Sequence, residues 1–194
     1  MDLLAESGAH PLYCPMGHAL HGSPQRAWEL IQRGAKVLIG TDCVCADNVM
    51  DIVGELRIAG ASQKQLTNDL QAMPALKILE TVTVDAAQAI GMGNQLGSIA
   101  PGHLADLVVL NFEGLHTAPN YSLLDNIVYC CTGRDVDTVI VNGQTVVRDG
   151  KLTTVDEAEL VREVEETGRA LMRRALETES DLAWLWRSTF GSEP

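Results

Sequence analysis

The chain has 194 residues, 46% of them apolar and 21% charged, and 26 acids against 14 bases give a formal charge of -12. One ordinary domain or two small ones fit that length, and the composition is globular, which excludes a disordered or low-complexity protein. Nucleic acid and anionic membranes do not attract so acidic a chain. No apolar run reaches the roughly 18 residues of a membrane span. The N-terminus lacks the basic and apolar regions of a signal peptide. A cytoplasmic protein is therefore expected.

Residues 2–8 read as a helix end stopped by Gly8, and 9–15 as a short strand ended by Pro15. Pro24 opens a helix over 24–33 that stops at Gly34, with Trp28, Leu30 and Ile31 inward. The run "AKVLIGTD" (35–42) is apolar on both faces, as a buried strand of a parallel sheet is. Apolar positions at Val49, Ile52, Val53, Leu56 and Ile58 predict a helix over 48–60 with Gly60 as its stop. Helices follow over about 64–80, interrupted near Pro74, and over 83–90. This alternation is the grammar of an α/β sheet or barrel.

The pattern changes beyond residue 95. Runs 105–111, 126–132, 136–143 and 144–150 read as short strands, and Asn142-Gly143 is a type I′ hairpin signal. From Asp156 to about Thr178 the sequence is an amphipathic helix capped by Thr154 or Asp156. The tail "DLAWLWRSTF" is apolar enough to dock on its own domain or on a neighbouring subunit, which makes a homo-oligomer the expectation. Three segments result: 1–95, 96–152 and 153–194.

Gly40-Thr41-Asp42 closes the buried strand at its carboxyl end, where parallel α/β proteins place ligands and catalysis. A carboxylate there can ligate a metal or take a proton from metal-bound water, or it can simply satisfy loop amides and cap the next helix. His18 and His21, flanked by Gly17 and Gly22, read as loop residues, either solvated or lining a pocket. The five cysteines (Cys14, Cys43-x-Cys45 and Cys130-Cys131) match neither a disulfide framework nor a zinc ribbon and read as small buried thiols in a reducing cytosol. Ala105-Asp106 and Asp135-Val136-Asp137 read as turn and strand-edge residues.

Four segments in order, "YCPMGHALHGS", "VLIGTDCVCADNVMDIVGELRIA", "GSIAPGHLADLVVL" and "VYCCTGRDVDTVIVNGQTVVRDGK", resemble the C-terminal part of amidohydrolase-superfamily enzymes. The branch is that of triazine hydrolases, guanine deaminases and S-adenosylhomocysteine deaminases, and the resemblance runs from about residue 2 to residue 177. It implies an α/β fold: the C-terminal part of a TIM-like (β/α)₈ barrel, part of a β-sandwich, and a C-terminal helix. It also implies zinc or another divalent metal as cofactor, and hydrolysis of C–N bonds in a small heterocyclic substrate. Asp42 would be metal ligand and catalytic base, with His18, His21, Asp47 and Asn48 facing substrate.

Tyr13, Gly17, His18 and Cys43 depart from the family pattern, and the family's metal histidines of the earlier strands have no counterpart here. A complete barrel takes about 250 residues. The expectation is therefore a chain that needs a missing N-terminal half or a partner chain and is inactive alone. The alternative is a catalytically silent structural or interaction subunit of the same fold.

Overall fold

The computed structural model describes residues 1–178 together with Trp184 and Trp186. Its contacts divide the chain into two compact units, Met1–Gly150 and the residues from Lys151 onward.

The first unit begins with α1 (Asp2–Glu6), after which Gly8 turns the chain at φ +74°. Strand β1 (Leu12–Tyr13) leads into α2 (Pro15–Leu20), and α3 (Ala27–Gln32) leads into β2 (Leu38–Ile39). The two strands pair in parallel, Leu12 opposite Leu38 and Tyr13 opposite Ile39. The pairing continues past the strands, where the Gly40 N–H donates to the Tyr13 carbonyl at 2.9 Å. Next come α4 (Val44–Asp47), α5 (Ile52–Thr67), α6 (Ala75–Val82) and α7 (Val84–Ala89). Val37 and Ile39 of the strand region pack with Tyr13, Leu56, Ala59, Met73, Ile78 and Val128 into one aliphatic core. Burying such side chains contributes about 1.5–3 kcal/mol each.

Two departures from the sequence pattern occur here. Helix α5 does not stop at Gly60 but runs to Thr67, because the phenol of Tyr129 fills the space a side chain at 60 would occupy. Residues 126–132, expected as a strand, belong mainly to helix α8 (Leu123–Tyr129). The Ser122 side chain caps it by accepting the Asp125 N–H, and Val128 and Cys131 are buried. Tertiary packing overrides the β preference of Ile127, Val128 and Tyr129.

Strands β3 (Leu107–Leu110), β4 (Val136–Val141) and β5 (Gln144–Arg148) form an antiparallel meander. Asn142 and Gly143 have φ of +49° and +78°, the geometry of the anticipated type I′ turn. Asp106 accepts the Asn142 N–H at 2.6 Å, and the Ala105 carbonyl accepts that of Gly143 at 3.0 Å. This pair thus does the structural work its position suggests. Val108, Val109 and Val141 remain exposed.

The second unit holds a short strand β6 (Lys151–Leu152) and helix α9 (Glu157–Thr178). Asp156 is the cap, its carboxylate accepting the N–H groups of Ala158 and Glu159 at 2.9 and 3.1 Å. Leu160, Val161, Val164 and Leu171 of α9 are exposed. The expected docking of the tail falls outside the described residues, Trp184 and Trp186 apart. No helix among the described residues is long and apolar enough to cross a membrane. The two parallel strands do not close a barrel among these residues.

Candidate active site

Asp42 stands just beyond the carboxyl end of β2, exposed, with φ +63°. This left-handed conformation is uncommon for a residue other than glycine, and Asp and Asn adopt it most readily. In this turn Oδ1 accepts the N–H of the following residue, Cys43, at 2.8 Å. Among the described residues, Oδ2 has no hydrogen-bond partner. Helix α2 passes close by on its Gly17 side, where an added methyl group would lie 3.7 Å from Ala46 Cβ and 3.9 Å from Asp42 Oδ2. Gly17 therefore keeps the approach to the carboxylate open.

His18 and His21 are not loop residues. His18 lies within α2 and His21 caps its C-terminus, because Pro15 at the first helical position starts the helix early and Gly17 does not break it. His18 turns toward Tyr13, stacking at 5.7 Å between ring centroids and 11° between planes, and its Nδ1 accepts the Cys14 N–H at 3.3 Å. That bond leaves the proton on Nε2 when the ring is neutral. His18 also lines a cavity of about 480 Å³ with Tyr13, Ser23, Gln25, Ser62 and Gln63; Asp42, Asp47 and Asn48 are not among its lining residues. Part of the otherwise largely apolar cavity wall is a polar network. Tyr13 and Ser62 share a hydrogen bond at 2.6 Å, and Gln63 Nε2 donates to Tyr13 and to the Gln25 carbonyl.

Asp47 and Asn48 part company. Asn48 ends α4 at φ +67° and is exposed. Asp47 is only 4% exposed, with Oδ1 on the Val49 N–H at 3.0 Å and Oδ2 buried with no partner among the described residues. A third acid, Glu55 on α5, went unremarked in the sequence. It is buried, and its carboxylate accepts the Met16 N–H at 2.9 Å, tying α2 to α5. Its signal was a carboxylate on the apolar stripe that also carries Leu56 and Ala59.

These acids converge on Cys14. Burial pushes its thiol up, and the charges of Asp42, Glu55 and Asp47 push it further, against one hydrogen bond from the Asp42 backbone. Cys14 therefore stays a protonated thiol at neutral pH. Glu55 is itself raised by burial and by the charges of Asp47 and Asp51, against the Met16 N–H. Among the described residues no three His, Cys, Asp or Glu side chains are placed to hold a metal ion. Asp42 fits such an ion as one donor of an incomplete set.

A partly buried parallel strand pair with a carboxylate just beyond its carboxyl end, followed by a small β meander, is an α/β arrangement in which parallel folds place their sites. The amidohydrolase family pattern matches residues 19–146, and the chain belongs to that family. It is 36% identical over 143 residues to a 5-methylthioadenosine/S-adenosylhomocysteine deaminase of Syntrophomonas wolfei, covering 74% of this chain and 33% of the relative. The structure superposes on an adenosine deaminase from Xanthomonas campestris with bound zinc at a TM-score of 0.81 and 30% identity, over 84% of this chain and 38% of that one. An atrazine chlorohydrolase from Arthrobacter aurescens, complexed with zinc, shares the fold at a TM-score of 0.75 and 20% identity, over 85% and 37%. The chain thus spans little more than a third of the length of these relatives.

Proposed function

We propose that this chain supplies the Asp42 portion of a metal-dependent hydrolase that deaminates a small heterocycle, a purine-, pterin- or triazine-like ring. Family membership supports C–N hydrolysis as the reaction class. The names of the deaminase relatives support the heterocycle. The observation that carries the reading is Asp42 itself, a carboxylate at the end of a buried parallel strand with Oδ2 uncommitted.

In the complete enzyme a divalent ion, zinc in the named neighbours, supplies an activated water. Asp42 Oδ1 is anchored by the Cys43 N–H, so Oδ2 would be available to hold such an ion, and the carboxylate would be placed to take up a proton from water there. The other donors come from outside the described residues, from an N-terminal half or a companion chain. The exposed strand residues Val108 and Val109 and the half-open β1–β2 pair favour such a companion, because unpaired edges and apolar faces are unfavourable in water. Association into a homo-oligomer and a cytoplasmic location belong to the same reading. His18, His21 and Asn48 serve the substrate side, and the buried Asp47 supports the turn behind them through the Val49 N–H.

The test uses the chain with whatever co-purifies with it. Asp42→Asn is the variant of choice, because Asn tolerates φ +63° where Ala does not. Deaminase turnover should fall by more than about a hundredfold, and metal content should drop, while the fold persists. The absence of three convergent donors among the described residues favours one other reading, a catalytically silent subunit. An intact assembly that is metal-free and inactive before any substitution establishes that reading and removes the first.

A further inference from the structure

Cys43 and Cys45 are the two exposed thiols of the chain; Cys14 and Cys131 are buried and Cys130 is half-buried. Their sulfurs lie 2.6 Å apart, in contact across one residue. The pair sits where the chain leaves Asp42. Cys43 is the N-cap of α4, its N–H holds the Asp42 carboxylate, and Cys45 lies in the first turn of that helix. The segment between Asp42 and Asn48, both left-handed, is short. Whatever joins the two sulfurs therefore acts on the turn that aims Asp42.

We propose that Cys43 and Cys45 form a reversible dithiol–disulfide couple that fixes the Asp42 turn when oxidised. The co-reactant is a small disulfide of the glutathione class. The Cys43 thiol loses its proton, and the thiolate attacks one sulfur of that disulfide. This forms a mixed disulfide and releases one small thiolate, which takes up a proton. Cys45 then loses its proton and attacks the Cys43 sulfur, forming the internal bond and releasing the second small thiol. The two cysteines are oxidised by two electrons, and the small disulfide is reduced to two thiols. Contact between the sulfurs makes the second step intramolecular, which favours ring closure over a stable mixed adduct. An exposed couple of this kind belongs to the labile, regulatory class of disulfides rather than the structural one.

The reduced 194-residue chain is incubated with oxidised glutathione, denatured, alkylated and mapped by mass spectrometry. The expected result is joint loss of two of the five alkylatable thiols, a mass about 2 Da lower before alkylation, and a 43–45 link that dithiothreitol reverses. Cys43→Ser and Cys45→Ser should each instead keep a glutathione adduct at the remaining cysteine. Backbone amide exchange across 43–47 should slow in the oxidised wild type. The proposal is overturned if all five thiols survive, if the wild type stops at glutathione adducts, or if the link forms elsewhere. It is equally overturned if the 43–45 link forms and leaves amide exchange over 43–47 unchanged. None of these readouts depends on deaminase activity, so they stand or fall apart from the role of Asp42.

Discussion

The Asp51 carboxylate accepts the backbone N–H of Gly133 at 2.8 Å, joining the start of α5 to a 3₁₀ turn 82 residues further along the chain. The same side chain caps α5, with Oδ1 on the N–H groups of Val53 and Gly54 at 3.0 and 3.1 Å. One oxygen serves the cap and the other serves the bridge to the β meander. Asn caps helices as well as Asp does, but its amide would face the Gly133 N–H donor to donor. Asp51→Asn should therefore cost about 1–3 kcal/mol, and Asp51→Ala about 2–4 kcal/mol. Urea unfolding measures both. An Asn variant as stable as wild type would show that only the cap matters.

Glu55 sets a pH dependence of the opposite sense to most carboxylates. Burial comes first among its influences and, with the charges of Asp47 and Asp51, raises its folded pKa against the Met16 N–H. An acid bound more tightly to its proton when folded stabilises the fold below its ordinary pKa, and that contribution is lost as pH rises through the folded value. Glu55→Gln keeps an acceptor for the Met16 N–H and carries no charge. The stability of wild type relative to this variant should fall as pH climbs from the ordinary carboxylate range through the raised one. Unfolding midpoints of the two proteins at stepped pH check the sign, and parallel curves would exclude it.

Which parts were readable in the sequence follows a physical division. The position of Asp42 just beyond β2 was legible because a doubly apolar run reads as a strand, and the hairpin at Asn142-Gly143 because a two-residue turn dictates its own chemistry. The helix over 123–129 was misread because Ile127, Val128 and Tyr129 favour strands locally, although Ser122 and Asp125 formed a start signal. The placement of His18 was missed because two glycines outweighed Pro15. The burial of Asp47, the Glu55–Met16 tie and the 43–45 sulfur contact arise from tertiary approach, which periodicity does not encode.

Two helical glycines should respond in opposite directions to the same substitution. A methyl group at Gly60 would lie 2.7 Å from the Tyr129 hydroxyl and 3.0 Å from Ile78 Cδ1, inside the α5–α8 contact. Overpacking there costs about 1–3 kcal/mol, more than the roughly 1 kcal/mol that alanine gains in a helix. Gly168 on α9 has nothing within 4 Å of the same position. Gly60→Ala should lower the thermal midpoint of the first unit. Gly168→Ala should raise helix content and stability by about 0.5–1 kcal/mol. Circular dichroism melts of both variants read the contrast, and a shift of the same sign in both would overturn the close-approach account of Gly60.

Asp135 gives the conventional acid response, and its partners come from the turn before β4 and from His116, 19 residues earlier. Burial pushes its pKa up, but the Thr132 N–H, the His116 ring and the Thr132 hydroxyl together pull it below the ordinary value. The distances are 2.8 Å from Thr132 N and 3.2 Å from its hydroxyl to Oδ2, and 2.8 Å from His116 Nε2 to Oδ1. A depressed folded pKa means stability that is present above the unfolded value and lost as pH falls through the folded one. Asp135→Asn removes the charge from these bonds and should cost about 1–3 kcal/mol at neutral pH. The deficit should shrink as wild-type Asp135 itself becomes protonated in acid. Denaturant titrations of wild type and Asp135→Asn at neutral pH and below the carboxylate range test it. A deficit that persists undiminished in acid would mean the residue acts through shape rather than charge.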